Sequence, residues 1–266
     1  MAKENIEFVV DAHVHCGKGY NFRSYSKEIR DTPIKSAVVF SLADDIYKKA
    51  DKKFCNDKNW KEKRRKANKS ILSLAKDKGI KIDIYPFKFL WNDFNREDLD
   101  EYSGVKWQRR DVDPGYQMGS PKRFIKLIEK LKERNIPIVF DDEPDNIIKF
   151  IKGWSKGINV IIPHLGFGGR NYDALKDAGI WSKENVYTDT SYASNISPSM
   201  EVIREHINNY GYKRILFGSD YPNSHPKEEL EKISSLDISD EAKKAITSEN
   251  ILRLMDGVRN SKKSTS

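Results

Sequence analysis

Eight short apolar runs recur along the chain, at 6–12, 34–42, 80–87, 104–107, 136–140, 159–163, 186–190 and 214–218. Most are unbroken rather than alternating, as in Ala37-Val38-Val39-Phe40 and Val160-Ile161-Ile162-Pro163. Continuous apolar strands are buried on both faces, which is the pattern of a parallel sheet. The segments between them carry helical spacing. Residues 121–134 place Phe124, Leu127, Ile128 and Leu131 on one stripe, and 143–155 do the same with Ile147, Ile148 and Ile151. Residues 44–78 are long enough for two helices, and 199–210 read as an amphipathic helix with His206 on its surface. Strands alternating with helices give right-handed βαβ units. Eight units in a chain of 266 residues fit a single (β/α)8 barrel over 1–256. The polar, Ser/Lys-rich tail 257–266 is expected to fray. An open doubly wound sheet would carry a glycine-rich turn after a strand, and none is present.

Composition narrows the class. Hydrophobic residues make up 38% and charged residues 33%, with a net charge of +8. No apolar stretch approaches the ~18 residues of a membrane span, so no membrane association is expected. Basic residues are densest from 48 to 78, where a solvated helix face accounts for them, and nucleic acid is a disfavoured partner. Cys16 and Cys55 form no CxxC pair, and no secretory pattern opens the chain, so the expected compartment is the reducing cytoplasm.

In a barrel of this kind the chemistry sits past the C-terminal ends of the strands. Of five histidines, three fall there. His13 and His15 close the first run as Asp11-Ala12-His13-Val14-His15. Residues i and i+2 of a strand share a face, so both imidazoles can reach one cation. His164 follows the sixth run and Asp220 the eighth, where a carboxylate leaving so apolar a segment needs a partner, water or metal. The first and eighth strands adjoin in a closed barrel, which would bring His13, His15 and Asp220 together. His225, in the loop leaving the eighth strand, reads as rim or surface.

These motifs, with Gly104-Val105-Lys106, Pro163-His164-Leu165-Gly166, Asn185-Val186-Tyr187-Thr188-Asp189-Thr190-Ser191 and Gly218-Ser219-Asp220-Tyr221-Pro222, resemble the amidohydrolase superfamily. The nearest branch is the amidohydrolase-related one of metal-dependent hydrolases and decarboxylases. The resemblance implies a distorted barrel holding one divalent metal, usually zinc, with His13, His15 and Asp220 as ligands and His164 as an acid/base or substrate group. Asp189, at the end of the seventh strand, is a candidate to orient a ligand histidine from behind, and the resemblance makes a homodimer an expectation. One position departs from the pattern. The histidine usual after the fifth strand is replaced by Asp141. Asp141 is read as a fourth ligand that would favour manganese or iron; alternatively His164 moves in as a ligand, or Asp141 forms an ion pair with Lys106. Lys106 and Arg109, with Arg110 as alternative, are candidate anchors for a substrate carboxylate. Tyr192 is a candidate cover for the site.

The resulting expectation is a mononuclear hydrolase acting on a small amide, lactone or similar carboxyl derivative. Asp220 takes the proton of a metal-activated water, and His164 assists. A decarboxylase on the same scaffold, a DNA-cleaving barrel and a degenerate non-catalytic barrel are the competing readings. Lys106 and Asp141 stand where the DNA-cleaving type has other residues.

Overall fold

The computed structural model describes residues 6–51, 53–54, 57–110, 122–167, 169–191 and 199–263. The elements run β1 (Val9–Cys16), α1 (Phe22–Glu28), β2 (Ile34–Ser41), α2 (Lys58–Lys76), β3 (Asp83–Phe89) and β4 (Gly104–Gln108). They continue with α3 (Lys122–Glu133), β5 (Ile138–Asp141), α4 (Pro144–Gly153), β6 (Val160–Ile162), α5 (Gly169–Asp177) and β7 (Val186–Asp189). Last come α6 (Met200–Tyr210), β8 (Ile215–Leu216), α7 (Pro226–Ser235), α8 (Asp240–Lys244) and α9 (Asn250–Lys263). The strands pair in parallel in the order β1 through β8. All eight sequence-predicted strands are present, and the fold is a (β/α)8 barrel.

The seam between β8 and β1 is held by individual bonds rather than a ladder. Ala12 N donates to Phe217 O, Asp220 N to His13 O and His15 N to Tyr221 O, each at 2.8 Å. Asp11 reinforces the seam, accepting from Ser219 N at 2.9 Å, Ser219 Oγ at 2.7 Å and the Tyr25 hydroxyl at 3.0 Å.

Two hydrophobic layers result. Val9, Val14, Ala37, Val39, Val105, Ile138 and Val160 face the surrounding helices. Val10, Ala12, Val38, Val139, Ile161 and Leu216 fill the interior, where Ile251, Leu254 and Met255 of α9 join them. The last helix thus stoppers the N-terminal end of the barrel, opposite the mouth. Among the described residues no helix is long and apolar enough to cross a membrane.

Three expectations change. Residues 257–263 continue α9 rather than fray, because Val258 is buried and Ser261 Oγ donates to Arg134 O at 2.6 Å. Among the described residues of 44–78 there is one α-helix, α2, after a short 3-10 turn at Ala43–Asp45. His206 is buried on the stripe it shares with Ile203 and Tyr210; its ring lies 5.2 Å from that of Trp181 and accepts from the Tyr172 hydroxyl at 3.2 Å. Cys16 is buried, and burial with nearby Asp11 pushes its thiol up to about 12, which leaves it inert. Cys55 and Tyr192 lie outside the described residues.

Candidate metal centre

The site begins with an irregularity in β1. Strict alternation would put His13 and His15 on the face of Asp11, whose carboxylate meets Tyr25 of α1 outside the barrel. Between Asp11 and Val14 the register against β2 slips by one residue. A bulge of this kind inverts the phase of the strand beyond it. Val10 before it and Ala12 within it face the interior, Val14 after it faces the helices, and both imidazoles turn into the mouth. The ring centroids lie 5.4 Å apart, each edge-on to Phe40.

Both rings are fixed from behind. His13 Nδ1 lies 2.9 Å from Asp189 Oδ2, and His15 Nδ1 lies 3.0 Å from Ser41 O. These partners only accept, so each Nδ1 carries the hydrogen and each Nε2 presents a lone pair. Burial lowers both imidazoles, to about 4 for His13, where nearby Lys106 adds to the effect, so the rings are neutral near pH 7.

His164 and Asp220 arrive on left-handed backbone. His164, Leu165, Gly166 and Phe167 have φ of 58°, 48°, 65° and 68°, and Asp220 has 60°. Each non-glycine in this region costs roughly 1–3 kcal/mol, a strain the rest of the fold must over-determine and one that clusters at functional sites. Asp189 holds the first of these turns. Its Oδ1 accepts from His164 N at 2.9 Å, from Ser191 N at 3.1 Å and from Ser191 Oγ. With its proton committed to Asp189, Ser191 Oγ can accept from His164 Nδ1 at 2.8 Å. Burial alone would raise the Asp189 carboxyl; the His13 ring and the His164 amide beside it hold it well below the usual range. Asp220 Oδ2 accepts from Asn223 Nδ2 at 2.9 Å, while its Oδ1 faces His13 Nε2 at 3.5 Å and His15 Nε2 at 3.4 Å.

The donor set fits a cation. Two imidazole nitrogens and a carboxylate oxygen face one another without a hydrogen of their own to share; Lys106 Nζ reaches one of them, His13 Nε2, at 3.4 Å, and a divalent ion would suit all three. Among the described residues, His13, His164 and Asp220 each offer a ligating atom within 4.8 Å of the others. The site is deeply buried: none of its three histidines or Asp220 exceeds 6% exposure.

Asp141, at the end of β5, is engaged differently. Its Oδ2 pairs with Lys106 Nζ at 3.2 Å and its Oδ1 with Arg110 Nη1 at 2.7 Å. Burial would raise its carboxyl, but the two cations hold it far below the usual range. Lys106, lowered by burial and supported by Asp141, also reaches His13 Nε2 at 3.4 Å. Arg109 and Arg110 part company. Arg109 lies among Tyr47, Trp91 and Trp107, 4.4, 4.1 and 4.5 Å from their rings, with Asn92 Oδ1 at 3.0 Å. Arg110 lies over Phe167 at 4.2 Å, beside Asp141. His225 is exposed and pairs with Glu28 at 3.2 Å, away from the centre. Sequence reasoning did not single out Ser191 or Asn223; their only signal is position, two and three residues after the carboxylates they serve.

A barrel whose mouth gathers histidines and a strand-eight aspartate defines a class of metal-dependent enzyme. The amidohydrolase family model matches residues 99–256, more than half of the chain, and the protein belongs to that family. No curated protein matches it in sequence. Among solved structures, one similar to it is a Pseudomonas putida protein assigned as a 2-pyrone-4,6-dicarboxylic acid hydrolase (TM-score 0.70, 15% identity, covering 94% of this chain and 98% of that one). Another is 5-carboxyvanillate decarboxylase from Sphingomonas paucimobilis (0.69, 10%, 94% and 99%). A third is a dihydroxybenzoic acid decarboxylase from Polaromonas with bound manganese and 2-nitroresorcinol (0.67, 14%, 94% and 97%).

Proposed function

We propose that the protein is a metal-dependent hydrolase acting on a small carboxylic-acid derivative, a lactone or amide that carries a further carboxylate. The observation that carries this reading is the convergence of His13 Nε2 and His15 Nε2 on Asp220 Oδ1, with each Nδ1 already committed. A divalent cation held by His13, His15 and Asp220, with His164 completing the set, would supply the Lewis acidity that brings the pKa of water toward ~7. With Asp141 committed to Lys106 and Arg110, this set is three nitrogens and one carboxylate, a combination suited to zinc.

The chain's own groups divide the remaining work. Asp220 accepts the water proton on a carboxylate that Asn223 steadies. His164, held through Nδ1 by Ser191, turns Nε2 toward the cation, and Asp220 returns the proton to the leaving group. Lys106 and Arg110, both held by Asp141, stand at the wall as the cationic groups a substrate carboxylate would meet. Arg109, enclosed by three rings, stiffens the strand end that presents Arg110.

Elemental analysis of purified protein, paired with a panel of lactones and amides of dicarboxylic acids, tests this. Stoichiometric zinc, hydrolysis abolished by chelator, and loss of both in His13→Ala are expected. Metal-free protein that turns over the panel unchanged would overturn the metal reading. The second reading is decarboxylation, favoured by the likeness to the two decarboxylases. Carbon dioxide release from hydroxybenzoates without hydrolysis of the panel would replace the first with it.

A further inference from the structure

The connection from β3 to β4 is unlike most others in the barrel. Residues 90–103 form no α-helix, only a 3-10 turn at Leu99–Glu101. The place a helix would fill, between α2 and α3, is a cavity of about 670 Å3, large enough for a small molecule. It lies outside the barrel wall and contains none of the metal-centre residues.

Its lining is strongly cationic. From α2 come Lys61, Arg64, Arg65 and Lys69, from β3 Lys88, from the connection Arg96, and from α3 Arg123 and Lys130. These eight face three lining acids, Asp93, Glu97 and Asp98, and two more acids at the edge, Glu62 and Asp100, pair with Arg65 and Lys130, which leaves a surplus of three positive charges. Lys61, Arg65 and Lys69 stand at i, i+4 and i+8, a row of like charges that destabilises an isolated helix. Several of these cations have partners: Arg65 pairs with Glu62, Lys69 with Asp98 and Lys130 with Asp100. Among the described residues no carboxylate pairs with Lys61, Arg96 or Arg123.

The floor is built rather than incidental. Arg64, buried, donates to Ile46 O at 2.9 Å and pairs with Asp93 at 3.1 Å. Lys88, buried, donates to Glu97 O. Asn68 bonds both backbone groups of Phe89, at 3.1 and 2.8 Å, pinning α2 to the end of β3. A concavity of one charge sign with low-dielectric walls concentrates the opposite charge.

We propose that this slot is a second binding site, independent of the metal centre, for a small polyanion of the organic polyphosphate class. The fixed floor cations define its depth, and Lys61, Arg96 and Arg123 at its rim supply the uncommitted charge.

Isothermal titration of the full-length protein at low salt, with inorganic tripolyphosphate and with ATP as probes, tests the proposal. Saturable one-to-one binding of both is expected if the phosphate chain is the ligand, and of ATP alone if the organic part is required. Affinity should fall about tenfold or more in Lys61→Glu/Arg96→Glu. The control Lys152→Glu/Lys156→Glu, which makes the same net change of charge outside the cavity, should move it by no more than about twofold. Thermal midpoints of both variants establish that they fold. Failure of both probes to bind saturably, or equal weakening by both variants, would overturn the site and leave only diffuse attraction to a basic protein.

Discussion

Asp189 bonds the His13 ring with one oxygen, and the His164 amide and Ser191 with the other. Replacing it by Asn keeps the shape but offers His13 Nδ1 only one acceptor atom and removes the charge that favours its present tautomer. Metal affinity, measured by competition with a chelator, should fall about 10–100-fold in Asp189→Asn, with the barrel intact by circular dichroism. Unchanged affinity would show that His13 is oriented by packing alone. Gly218 is the second sensitive position: a Cβ there would lie 2.8 Å from His13 Cβ and 3.2 Å from Ser191 Cβ. Both neighbours belong to the site, so Gly218→Ala must shift the ring, and activity should drop more than stability does. At this scale the sequence was readable where a polar residue leaves an apolar run, as at His13, His15, His164 and Asp220. It was not readable at Asp141, whose oxygens could serve a metal or two cations; the choice depends on Lys106 and Arg110 reaching them across β4.

Three elements show what local pattern can and cannot carry. β1 reads as an alternating strand end, and the shared face of His13 and His15 follows from that. Which face it is depends on the bulge after Asp11, which the pattern of residues does not reveal. The turn at Pro163–Phe167 presents His164 through left-handed backbone that only Gly166 adopts freely. In α6 the stripe of Ile203, His206 and Tyr210 was visible at i, i+3 and i+7, yet a single polar residue on it was assigned to solvent. Burial lowers His206 to about 4 from its ordinary 6.5. The folded state therefore resists a proton that the unfolded chain takes up below pH 6.5. Stability from this group is complete above about pH 6.5 and is lost as pH falls toward 4, about 3 kcal/mol in all. His206→Phe should cost about 1–3 kcal/mol at neutral pH, because the Tyr172 hydroxyl loses its acceptor. It should also flatten the acid limb of the urea-unfolding profile between pH 6.5 and 4 by up to about 1.4 kcal/mol per pH unit. An unchanged slope would mean His206 is not the proton acceptor.

Over the whole molecule, closure and stoppering set the geometry of the mouth. β8 has only two ladder residues because Phe217 N turns to Ile246 O of the π-helical turn Ala245–Glu249. Asn250 then ties that turn to Tyr212 O and Ile215 O at 2.8 and 2.7 Å. Asp220 thus depends on a segment some thirty residues downstream. Leu254→Ala or Met255→Ala should each cost about 2–5 kcal/mol in chemical denaturation, since both side chains fill the barrel interior from α9. A cost near zero would mean the helix end is not part of the core.

The sequence alone determined the eight strands, their parallel order and the strand ends at which His13, His15, His164 and Asp220 stand, because continuous apolar runs and helical stripes are local consequences of two-sided and one-sided burial. It also carried the family signature. Tertiary structure decided the rest: the face on which the paired histidines emerge, the partners of Asp141, the separate fates of Arg109 and Arg110, the burial of His206, and the helix-less slot between α2 and α3. Each of these depends on which distant groups arrive at the same place, and contacts between residues far apart in the chain leave no period along it.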